Sequence, residues 1–169
     1  MTSGEDPTTC PGCGLEAADH EVTTAAAHGA SAACYTLYGA LLARSYSNPD
    51  YRGVHQLVVD AYSVQHSYSK GRREVQTVAV CLMTLCLFIV DGVDPQRGPA
   101  LHKQMVTARP AFVWLDPPRL RGLMTVADVL AAADAAEHER LTWTWAREMW
   151  EAWAPHHPTI RMWNNQALA

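Results

Sequence analysis

Between His55 and His66 the chain reads HQLVVDAYSVQH. On a helix turning about 100° per residue, His55, Val59, Tyr62 and His66 fall on one face. The same stretch carries Asp60 and Gln65 among Leu, Val and Ala. Two imidazoles, a phenol, a carboxylate and a carboxamide are a heavy polar load for such a segment. Inside a core each costs a few kcal/mol unless it finds a partner. Either the segment bears ligands or its polar residues satisfy one another, and their density favours ligands.

The other chemical signal is CPGCG at 10–14. Pro and Gly between the thiols, with Gly after the second, make a tight turn that aims two sulfurs at one point, as in a zinc knuckle. Thioredoxin-type redox pairs share the spacing, but they sit at a helix N-terminus in a βαβ context that is not visible here. The sharpest ligand set is Cys10, Cys13, Cys34 and His66. Thiolates with an imidazole suit zinc, and iron or another thiolate-tolerant metal fits the same donors. In the competing set Cys34 is a core thiol, and His20 and His28 close the knuckle.

If one metal position stays open, a metal-bound water is the nucleophile. His55 or Asp60 then serves as general base, with Tyr62 completing a catalytic set. Asp60 lies about 120° around the helix from His66, so it serves a neighbour rather than that ligand. The plainer alternative pairs Asp60 with Lys70, Arg72 or Arg73 and leaves Tyr62 filling core space. Gln65 and Gln76 flank the basic loop, where they either read a small polar substrate or bond across the helix pair. Cys81 and Cys86 read as core thiols. His102 and His138 have no partner legible in the sequence, and His156 and His157 read as solvated.

The elements that must position these groups are helical. A first helix over 31–47 has Cys34, Leu37, Tyr38, Leu41 and Leu42 as its inward stripe and ends at Asn48-Pro49. The second starts near 51, and a buried helix over 74–90 stops at Asp91-Gly92. A short helix is expected over 98–108. Residues 108–118 are extended, because Pro117 and Pro118 forbid a helix. Thr125 and Asp128 form a capping box that opens VADVLAAADAAEH. From 141 to 153, Trp143, Ala146, Trp150 and Trp153 recur at helical spacing, and the tail PHHPTIRMWNN folds back or frays. Strand signals are thin. The expectation is an all-α, single-domain bundle of five or six helices with an N-terminal zinc-knuckle-like turn. Residues 1–9 read as a disordered lead-in and 10–169 as the metal-binding domain.

At 169 residues, 49% apolar and 18% charged, the chain suits one folded domain with a real core. A net charge of −4 leaves no basic footprint for nucleic acid. Five cysteines are an odd set, better read as ligands or core thiols in a reducing compartment than as disulfides. MTSGEDPTT has no signal-peptide character, and a cytoplasmic location follows. The apolar run 75–90 would span only about 24 Å as a helix, too short for a membrane.

CPGCG, CYTLYGALLARSYSNPDY, VHQLVVDAYSVQH, VQTVAV, TVADVL and WAREMWEAW follow one another along most of the chain. In that order they resemble a family of uncharacterised bacterial proteins, mainly from actinomycetes, with a CPGCG knuckle and a D-A-Y-x-V-Q-H motif. The resemblance implies no established activity. It places a histidine where this chain has Cys81 and a proline where it has Ser67. The first difference swaps one metal-ligand type for another or removes one from a catalytic set; the second leaves the helix end less sharply defined. Two functions fit: a small zinc-dependent hydrolase, lyase or isomerase acting on a small polar molecule, or a non-catalytic zinc-stabilised module. The module would bind a partner through an aromatic face at Trp143, Trp150 and Trp153, which also suits a second copy of the chain.

Overall fold

The computed structural model describes residues 8–18 and 29–169. Residues 1–7 of the expected lead-in, with His20 and His28, lie outside the described residues. Thr8–Thr9 (β1) pairs antiparallel with Glu16–Ala17 (β2), closing the CPGCG turn into a short hairpin. The described helices are α1 (Ala32–Ser47), α2 (His55–Gln65), α3 (Arg72–Ile89), α4 (Gly98–Ala108), α5 (Val126–Leu130), α6 (Ala135–Ala152) and α7 (His157–Leu168). The protein is the all-α bundle that the periodicity predicts.

Local chemistry sets the boundaries. Ser31 caps α1, its Oγ accepting the Cys34 amide at 3.2 Å. Asn48 then caps a 3-10 turn over Pro49–Val54, so the second helix enters through that turn and becomes α-helical only at His55. Every residue from Val78 to Phe88 is buried, which makes α3 the central rod, packed by α2, α4, α6 and α7. No described helix is long and apolar enough to cross a membrane.

One departure, at a helix end, has a clear cause. The capping box at Thr125 and Asp128 forms, but its helix stops at Leu130. Asp134 competes for the backbone, accepting the Glu137 amide at 2.8 Å and opening α6 as a fresh N-cap. The tail does not fray: Ile160, Trp163 and Ala167, spaced three and four apart, bury one face of α7. His156 and His157 are not simply solvated either. His157 stacks on Trp150 at 3.6 Å and donates to its carbonyl at 2.8 Å, and His156 donates to the Asp116 carbonyl at 2.9 Å. Trp150 and Trp153 point into the core, while Trp143 stays half-buried under Arg147.

A candidate metal centre

The knuckle is held by its own backbone. The Cys10 amide donates to Leu15 O at 2.8 Å, and the Gly14 amide returns to Cys10 O at 2.9 Å. The Ser31 amide, at the mouth of α1, donates to Cys10 Sγ at 3.4 Å. From this turn, α1 and the end of α2, the ligand atoms of Cys10, Cys13, Cys34 and His66 come within 4.8 Å of one another.

Two of the donor separations match those around a tetrahedral ion. Bonds of ~2.3 Å to sulfur and ~2.0 Å to nitrogen would hold S···S pairs about 3.8 Å and S···N pairs about 3.5 Å apart. Cys13 Sγ lies 3.7 Å from Cys34 Sγ, and Cys34 Sγ lies 3.4 Å from His66 Nε2.

His66 is set for ligation. Its Nδ1 faces the Tyr62 carbonyl at 2.8 Å, and a carbonyl can only accept, so the proton sits on Nδ1 and the Nε2 lone pair faces the sulfurs. Tyr62 stacks on the ring at 3.9 Å, and its hydroxyl lies 3.6 Å from Cys34 Sγ. Tyr38 stacks on the other face of Tyr62 at 3.8 Å.

Close approach depends on two glycines. A Cβ on Gly12 would stand 2.4 Å from His66 Cδ2 and 2.7 Å from Gly29 O. Gly29, at φ +66, would put a Cβ 2.8 Å from His66 O. The knuckle therefore lies directly against the imidazole.

Three thiols this close cannot all ionise on protons alone. Hydrogen bonds from Cys13, then Cys34, pull the Cys10 thiol far below its ordinary range. The bond to Cys10 pushes Cys13 up to about 11 and Cys34 higher still. A divalent cation is what lets all three become thiolates.

Arg121 is the contributor that sequence reasoning missed. Its Nη1 donates to Gln65 O at 2.8 Å and Ser67 O at 2.9 Å, clasping the carbonyls on either side of His66. Burial pulls its pKa down, while the Cys10 charge pulls the other way. Its contacts run to main-chain oxygens, so no side-chain pattern marks them.

The remaining candidates fall in different places. His55 shares a face with His66 but lies about 16 Å away along the helix axis. There it meets Ser45 Oγ at 2.6 Å, and burial holds it below the ordinary imidazole range. Asp60 faces α3 and α4. It accepts from Gln56 Nε2 at 2.9 Å and Thr84 Oγ1 at 2.7 Å, and it meets His102 rather than Lys70, Arg72 or Arg73. Of these three, Tyr62 is the one in contact with the sulfur cluster.

Gln65 is a fully used strut. It donates to Arg121 O at 2.8 Å and Met124 O at 2.9 Å, and it accepts from Trp145 Nε1 at 3.2 Å. Gln76 instead lines an open cleft of about 930 Å³ with Lys70, Arg72, Arg73, Arg109 and Trp114, and none of the described residues lining it is a carboxylate. A second cavity of about 370 Å³ lies between Tyr38, Tyr62, Ser63, His66 and Glu74.

The model of a family of unknown function, DUF5946, matches residues 8–154. The chain belongs to that family. The family's span starts at β1, takes in all four donors and ends in the turn after α6, leaving α7 outside. No curated protein and no solved structure matches the chain.

Proposed function

We propose that this member of the family is a zinc-stapled helical binding module that takes a small anionic molecule in its cationic cleft. One observation carries the reading: four protein donors stand within 4.8 Å of one another, with Cys10, Cys34 and His66 buried. Four protein ligands in a closed shell describe a structural zinc, whereas a catalytic one keeps a position for water. The hydrolase or lyase alternative needs a base beside such a position. His55 stands too far along α2 for that, and Asp60 is committed to α3 and α4.

The cleft supplies the binding chemistry. Lys70, Arg72, Arg73 and Arg109 gather on a chain whose net charge is −4. No ion pair among the described residues uses any of them. Trp114 adds a flat face beside Lys70. Concave cationic walls focus field lines and favour anions, and Gln76 is placed to donate to the same ligand. The reduced cysteines fit a cytoplasmic setting.

Elemental analysis with a titration tests both halves. Cys13→Ser is expected to lose one equivalent of zinc relative to the parent, and its thermal midpoint should fall. Retention of that equivalent removes the staple. Inorganic pyrophosphate is expected to bind the parent and to lose at least tenfold in affinity with Arg72→Ala. No binding, or equal binding to both, removes the cleft.

A further inference from the structure

A second cluster of donors lies around α2 from the first. Asp60 on α2 is fully buried, and neither lysine nor arginine pairs with it among the described residues. Cys81 on α3 is buried beside it, and His102 on α4 reaches in from a partly exposed position. One ligand atom from each lies within 4.8 Å of the other two.

The polar groups around this point are crowded. His102 Nε2 has three neighbours at 3.2 Å: Asp60 Oδ1, Gln56 Nε2 and Thr84 Oγ1. Thr84 has one proton, yet Asp60 Oδ2, Val80 O and Cys81 O all lie within 3.0 Å of its oxygen. A carboxylate sealed from water needs a counter-charge as well as hydrogen bonds. Among the described residues, the one group placed to supply positive charge to it is the His102 imidazole.

We propose that Asp60, Cys81 and His102 form a second divalent-metal site, taking zinc or another borderline ion. The donor set is oxygen, sulfur and nitrogen, which suits such ions and not calcium or magnesium. Each donor comes from a different helix, so three rigid elements fix the geometry before any ion arrives. Gly98 lets α4 come close enough, since a Cβ there would stand 2.2 Å from Gln56 Cγ. Three protein donors leave a fourth position, the arrangement that the first centre lacks. Ser63, which hydrogen-bonds Cys81, also lines the 370 Å³ cavity bordered by Tyr62 and His66.

The test is metal stoichiometry on the full chain, loaded with excess zinc and desalted. The parent is expected to hold two zinc ions; His102→Ala and Cys81→Ala should each hold one, with helical signal unchanged. Cys13→Ser should also hold one, by losing the other ion. A parent that holds a single zinc kept by His102→Ala overturns the second site and leaves the first intact. A parent with two ions, both retained in folded His102→Ala, overturns it as well. A single zinc lost in His102→Ala but kept in Cys13→Ser supports the second site and removes the Cys3His staple.

Discussion

At the scale of single residues, the metal centre depends on an atom that is missing. Gly12 has no side chain, and the space its Cβ would take belongs to the His66 ring and to the Gly29 carbonyl. Gly12→Ala must push the knuckle away from the imidazole and spread the four donors that would hold an ion. We expect zinc affinity to fall tenfold or more, read by competition with a chromophoric chelator. Gly39→Ala is the control, because a Cβ at Gly39 meets nothing within 4 Å. It should keep the metal and gain up to about 1 kcal/mol of stability from helix propensity. Equal affinities in the two variants would mean that the knuckle does not dock on His66.

At the scale of elements, one helix serves both clusters, and this is where the sequence is both informative and misleading. Helical phase correctly puts His66 and Asp60 on different sides of α2, but it also groups His55 with His66, although three turns separate them. Angular alignment is not proximity. The CPGCG turn, Cys34 and His66 were legible because thiols and imidazoles at those spacings have few other uses. The Asp60, Cys81 and His102 cluster was not, since its donors sit on three helices whose packing no local pattern encodes. Cys81 by itself resembles any core thiol. The end of α4 yields a prediction of the same scale. Arg109 closes that helix in the left-handed region, φ 48, ψ 59, where glycine is usual. A non-glycine residue there costs about 1 kcal/mol, yet the side chain lines the cationic cleft. Arg109→Gly should therefore raise stability by about 0.5–1 kcal/mol and weaken pyrophosphate several-fold. Urea melts and calorimetric titration read the two effects, and a variant that gains stability without losing the anion would take Arg109 out of the cleft's chemistry.

At the scale of the whole molecule, the fold carries an acid-sensitive flaw. His138 on α6 is fully buried, edge-on to Tyr51 at 4.9 Å, and neither ring nitrogen has a hydrogen-bond partner among the described residues. Burial first, and the Arg44 charge second, lower its pKa to about 4. Well above pH ~6.5 the imidazole is neutral in both the folded and the unfolded chain, so it adds no pH dependence there. As the pH falls from there toward 4, the unfolded chain takes up a proton that the folded chain refuses. Stability then falls, by about 1.6 kcal/mol between pH 6.5 and 5. Loss of metal in acid has the same sign, so the measurement is a difference: urea unfolding of the parent against His138→Phe at pH 7 and pH 5. The phenylalanine keeps the ring contact without the titration, and its curve should be flatter by that amount. Parallel curves would show that His138 takes up its proton without unfolding the protein.

Of the four groups that would hold the first ion, Cys13 alone is not buried. Were an ion held there, Cys13 would be the donor that solvent reaches first. The lifetime of such an ion would then be set by the five-residue turn that carries Cys13 rather than by the opening of the bundle. A scavenging thiol or an oxidant that reaches this one atom could unclip the amino-terminal hairpin and leave every helix standing.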